Sequence, residues 1–112
     1  MKLQVYGRQL EIRDTLKGYT RTKVKRLSRF SRLILSVDVL FDANRDSTFT
    51  AKVIVGLLRN RTIVCSEREK SATAALDLAI DRVERKLGAV KERLHRRGNR
   101  GKVARRLMEG EG

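Results

Sequence analysis

Arg82, Arg85, Lys86, Arg93 and Arg96 recur at helical spacings, and at about 100° per residue they fall on one flank of a helix. Such a row suits phosphate oxygens, which the planar guanidinium fork grips bidentately. Asp77, Asp81, Glu84 and Glu92 fall on the opposite flank, with Lys91 as an exception among them. A helix charged only for solubility tends to interleave the two signs, so this sorting points to a directed binding stripe. Asp81 with Arg85, and Glu92 with Arg96, stand at the i,i+4 spacing that also permits pairing along the helix. An earlier helical stretch adds Lys17, Arg21, Lys25, Arg29 and Arg32 opposite its apolar stripe, with Arg26 at one edge. Lys23 falls on the apolar face itself and is expected to snorkel out at the rim.

Catalytic chemistry has little to work with. His95 is the single histidine, and it stands among Arg93, Arg96 and Arg97, whose field disfavours its protonation. A metal site needs more His and Cys than one of each, and no glycine-rich phosphate loop of the Walker type is present. Asp77, Asp81 and Glu84 could attract a cation, but ordinary solvation of a helix flank accounts for them more simply. Cys65 cannot form an intramolecular disulfide and lies in an apolar run, as a small buried hydrophobe would in a reducing compartment. The expectation is a protein that is not an enzyme, with no cofactor, no metal and no small-molecule substrate.

Charge identifies the class of partner. Twenty-seven Lys and Arg against thirteen Asp and Glu leave +14 over 112 residues, far above the roughly 2 to 8 units that solubility asks of a small domain. Self-repulsion of that size calls for a polyanion, and nucleic acid fits before a membrane surface or a merely solvated basic face. Residues 1–33 carry ten basic and two acidic groups, residues 34–66 four and three, and residues 67–112 thirteen and eight. Nothing reads as a membrane span or a secretory signal, so the expected compartment is the cytoplasm.

The elements that must position these charges are legible from periodicity. Lys2 to Gly7 alternates as a first strand that Gly7 breaks. Leu16, Tyr19, Thr20, Val24, Leu27 and Phe30 then mark a helix over about 14–31, capped by Asp14 or Thr15. Leu35, Val37, Val39 and Phe41 alternate on one strand, and Phe49, Ala51, Val53, Val55 and Leu57 on the next. A turn at Arg59-Asn60-Arg61 leads to a further strand over Thr62 to Ser66. Leu76, Ile80, Val83, Leu87, Val90 and Leu94 set the stripe of a long helix from near Ser71 to just before Gly98. At 1.5 Å per residue it spans about 40 Å and should project beyond the sheet.

The expected fold is α+β, in the order β-α-β-β-β-α, with a four-stranded sheet and two helices packed on one face. Residues 1–97 form the folded domain and 98–112 a flexible basic C-terminal tail. The two basic stripes would then border a common groove. Phe41 and Phe49 point inward in this register, so bases are not stacked on sheet aromatics, and recognition of folded RNA by phosphate and shape is the better reading. A general double-stranded RNA-binding module or RNA chaperone is the alternative.

Residues 1 to about 97 resemble the ribosome hibernation and ribosome-associated inhibitor family, which includes sigma-54 modulation protein-like short forms. The likeness rests on Leu3-Gln4-Val5-Tyr6-Gly7, Leu10-Glu11-Ile12, Lys23-Val24-Lys25-Arg26-Leu27 and, above all, the run from Ala75 to Leu87, ALDLAIDRVERKL. Where that family opens its second helix with an acidic residue and a tyrosine, this chain has Ser71 and Thr73. The resemblance implies a β-α-β-β-β-α fold that binds the small ribosomal subunit over the decoding region, excludes messenger and transfer RNA, and holds idle ribosomes inactive. The implied partner is that subunit and its rRNA, met by a protein that is monomeric when free. Together, stripe and resemblance nominate Lys23, Lys25, Arg26, Arg29, Arg82, Arg85, Lys86, Lys91, Arg93 and Arg96 as RNA contacts. The sequence ends at Gly112 without the C-terminal domain of long family members, as a natural short form or a truncated chain would.

Overall fold

Alternating apolar residues become rows that run across the strands. In the computed structural model, which describes the backbone of residues 1–109 and the side chains of residues 1–95, β1 (Lys2–Arg8) leads to α1 (Asp14–Val24) and a 3₁₀ segment (Lys25–Phe30). Then come β2 (Ile34–Ala43), β3 (Phe49–Leu57), β4 (Arg61–Glu69) and α2 (Ala72–Glu109). The sheet order is β1-β2-β3-β4, with β1 parallel to β2 and the other pairs antiparallel. This is the expected β-α-β-β-β-α arrangement, and the apolar sheet face carries both helices.

Val5, Val39, Val53 and Cys65 stand side by side across the four strands, and the row beside them is Gly7, Phe41, Ala51 and Glu67. Phe41 is fully buried between two small neighbours, Gly7 and Ala51. Against these rows α2 lays Leu76, Ile80, Val83 and Leu87, all fully buried. Each such side chain taken from water contributes about 1.5–3 kcal/mol, which makes α2 the main lid of the core. Cys65 is buried, as its apolar run suggested. Among the described residues no helix is long and apolar enough to cross a membrane.

Several details depart from the periodicity. The helix expected over 14–31 is α-helical only to Val24 and then tightens to 3₁₀. Val24, Leu27 and Phe30 are spaced by three, and only a three-residue turn eclipses such residues on one buried face. Neither Asp14 nor Thr15 caps it: Arg13 holds the cap position in extended conformation and offers its carbonyl to the Lys17 N–H at 2.9 Å. Gly7 does not end β1, which continues to Arg8. Leu35 is 56% exposed and Ile34 is buried in its place, because a bulge between Ile34 and Ser36 shifts the register.

Strand β4 is longer than Thr62–Ser66, and its turn places Arg59 and Asn60 at φ 64° and 57°. At the start of α2, the Ser71 hydroxyl accepts the Ala74 N–H at 3.1 Å and so caps the helix. The helix does not stop before Gly98: its backbone runs to Glu109, including residues assigned to a flexible tail. An interior glycine costs a helix only about 1 kcal/mol, and Ala104, Arg105, Arg106, Leu107 and Met108 beyond it are strong or acceptable helix formers.

Candidate nucleic-acid interface

The acidic flank of α2 meets the first helix. Arg26 reaches Asp81 Oδ1 at 3.1 Å and Glu84 Oε1 at 2.6 Å, while Arg29 reaches Glu84 Oε2 at 3.4 Å. Lys23 does snorkel from the apolar face, and its Nζ ends 3.3 Å from Asp77 Oδ1. The Tyr19 hydroxyl donates to the same oxygen at 2.7 Å. Thr20, buried beneath this seam, donates to the Leu16 carbonyl at 2.8 Å and leaves no polar cost there. The carboxylates that sequence reading left as solvated surface are thus a latch between the helices. The groove between them is not lined by two basic stripes but holds Asp81 and Glu84 beside Arg26 and Arg85.

Tyr19 gives this latch a pH signature. Its donated bond to Asp77, with burial and the carboxylate's charge adding, raises the hydroxyl above the usual phenol range. A folded value above the unfolded one means that the bond's contribution is complete below pH about 10 and fades as pH rises through the folded value. Tyr19→Phe is expected to lower stability by about 1 kcal/mol at neutral pH. In denaturant titrations the parent's advantage over that variant should shrink above pH 10, and an advantage that stays constant would refute the assignment.

A second group of cations, which shares Arg29 with the latch, gathers elsewhere. Three adjoining hollows ring α2 near Lys86 to Leu94, at the pole where the 3₁₀ segment ends and the β3–β4 turn projects. The first is lined by Arg29, Arg32 and Lys91 around Phe30, with the Arg29 guanidinium 4.6 Å and the Lys91 Nζ 5.8 Å from the ring centre. The second holds Arg59 and Arg61, and the third Arg61, Lys86 and Arg93. Among the described residues no carboxylate lines any of the three. The Leu58 N–H donates to the Leu33 carbonyl at 3.1 Å, which ties the turn to the end of the 3₁₀ segment and makes the belt continuous.

The ten nominated residues therefore divide. Lys23 and Arg26 belong to the latch, and Arg29 serves both latch and belt. Arg82 turns to the sheet edge and pairs with Glu67 of β4 at 2.5 Å. Lys86, Lys91 and Arg93 are on the belt, Arg85 lines the groove between the helices, and Lys25 is exposed. Arg96 lies outside the residues whose side chains are described. Arg59 and Arg61 were overlooked because they read as turn punctuation. Their signal was an arginine where a turn would ordinarily take glycine, asparagine or aspartate. Arg32, which sequence reading placed in the first basic stripe but did not nominate, also joins the belt.

The profile of the family described as Sigma 54 modulation protein / S30EA ribosomal protein matches residues 3–95. A ribosome hibernation promoting factor of Azotobacter vinelandii is 29% identical over 94 residues, covering 83% of this chain and 85% of that protein. The N-terminal domain of Thermus thermophilus Protein Y superposes with a TM-score of 0.70 at 28% identity, over 78% of this chain and 96% of that one. A ribosomal subunit interface protein from Coxiella burnetii shares the fold with a TM-score of 0.75 at 22% identity, over 82% and 99% of the two chains.

Proposed function

The chain belongs to the Sigma 54 modulation protein / S30EA ribosomal protein family, and from that premise we propose that it is a ribosome hibernation factor. It binds rRNA of the small subunit near the decoding region, blocks messenger and transfer RNA, and so inhibits translation. The observation that carries this reading is the belt: cations from the 3₁₀ segment, the β3–β4 turn and α2, converging with no carboxylate among the described residues that line it. Such a surface suits the phosphates of a folded RNA, where electrostatic contact supplies much of the affinity. The address on the subunit comes from the family resemblance. Inhibition on this reading is occupancy of a site by mass action.

Occupancy has measurable consequences. Titrated into purified ribosomes, the protein is expected to inhibit translation at about one molecule per ribosome and to release on dilution or added salt. Prebound messenger and initiator transfer RNA should weaken its binding, because ligands that exclude one another do so reciprocally. Each phosphate contact should add about 0.7–0.9 to the slope of log affinity on log salt. Inhibition far below one protein per ribosome, or inhibition indifferent to prebound transfer RNA, would refute occlusion. Protein that stays free of ribosomal particles in a sucrose gradient while binding duplex RNA would favour a general RNA-binding module.

A further inference from the structure

The middle of the belt is not only basic. Between Arg59 and Arg61 lies a hollow of about 200 Å³ walled by Leu33, Leu57, Leu58 and Val90, with Leu94 closing one side. Leu58 is 47% exposed at its lip. Leu57 and Val90 are its buried floor, while Leu58 and the partly buried Leu33 and Leu94 leave apolar surface that gains from being covered. The space is below the roughly 300–1,000 Å³ of sites for drug-sized ligands, so its occupant is a single small ring system or side chain.

The rim indicates which. Arg59 is held at φ 64°, ψ 37°, a left-handed conformation that costs a side-chain-bearing residue about 1 kcal/mol or more. It stands beside Arg61, and the next hollow adds Lys86 and Arg93. Such a rim complements a chain of phosphates, and the flat face of a nucleobase is the apolar surface that such a chain carries. RNA-binding proteins read unpaired, splayed-out bases in this way, with apolar side chains on the ring and polar groups on its edge.

We propose that this hollow receives one unpaired base of the bound RNA, with Arg59 and Arg61 on its flanking phosphates. The inference rests on the RNA-binding reading above and adds a base-sized subsite to it. The aliphatic walls select for an unstacked base over a paired one and leave its identity to the edge contacts at the rim. Recognition at the pole is therefore not by charge alone.

The test uses small ribosomal subunits saturated with the full-length protein, with base-specific chemical modification of the rRNA as the readout. The parent is expected to shield one unpaired nucleotide that is reactive in free subunits. Leu58→Trp, whose indole fills the hollow, should leave that nucleotide reactive while the protein still co-sediments. Arg59→Gly relieves the positive φ, so it should melt no lower than the parent, yet its slope of log affinity on log salt should be shallower by about 1. A parent that binds but shields no unpaired base overturns the inference, as does equal shielding by Leu58→Trp. A photoreactive benzophenone side chain at position 58 that cross-links to ribosomal protein and not to rRNA overturns it in favour of a protein side chain in the hollow. Failure of the parent to co-sediment would instead overturn the reading on which the inference rests.

Discussion

Replacing Arg61, Lys86 and Arg93 together by glutamate is expected to weaken binding to small ribosomal subunits about a thousandfold, with the melting temperature little changed. The three lie along one hollow and form no ion pair among the described residues, so on the proposed reading their loss acts on binding and breaks no described ion pair. A charge-assisted hydrogen bond is worth about 1.5–3 kcal/mol, and three of them come to roughly 4 kcal/mol or more, or three decades of affinity. Arg26→Glu is the instructive contrast. It sets a third carboxylate against Asp81 and Glu84, at the positions Arg26 now bridges at 3.1 and 2.6 Å. That variant should lose stability first, and binding only as the helix pair loosens. Gradient sedimentation and thermal melts of both variants separate the roles, and a belt variant that binds like the parent would sink the assignment.

Gly7→Ala is expected to be the most damaging single-methyl change in the sheet. A Cβ at this position would lie 2.2 Å from the Leu10 carbonyl oxygen and 2.8 Å from Ile12 Cγ1. The oxygen belongs to backbone and cannot swing aside, so the segment that folds back over β1 must move, and Ile12, packed against the core, moves with it. Overpacking of this kind typically costs 1–3 kcal/mol, and displaced backbone puts the expected loss at about 3 kcal/mol or more. Against a total stability of about 5–15 kcal/mol that is a large fraction. Urea unfolding would measure it, and a midpoint within experimental error of the parent would show that the 9–13 segment yields freely.

The strands and the α2 stripe were legible because each has a single period over many residues: Val37, Val39 and Phe41, or Leu76, Ile80, Val83 and Leu87. Periodicity fails where two apolar residues are adjacent. Ile34 and Leu35 are equivalent in pattern, and what decides between them is the pairing of Ser36 with Gly56, where a Cβ would come within 2.7 Å of the Ser36 hydroxyl. Charge sorting on α2 was equally plain, but a sorted flank does not announce its neighbour. Asp77, Asp81 and Glu84 looked like surface until α1 was docked against them, and neutralising Asp77 and Glu84, harmless on a solvated flank, would loosen the latch. Arg61 and Arg93 lie 32 positions apart in the chain, and only the packing of α2 over β4 brings them to one hollow.

The separation of latch from belt also shapes how the molecule travels. Asp77, Asp81 and Glu84 of α2 are held against α1 and the 3₁₀ segment while the belt's cations gather at one pole, so the protein carries a directed field in addition to its net charge of +14. Near a polyanion such a body experiences a torque before it makes contact and rotates until the pole leads. Encounter then begins in the productive orientation, and association can rise from the usual 10⁵–10⁷ M⁻¹s⁻¹ towards about 10⁸–10⁹ M⁻¹s⁻¹ in dilute salt. On the proposed reading, the rate of such an encounter is tuned by the ionic strength around the protein.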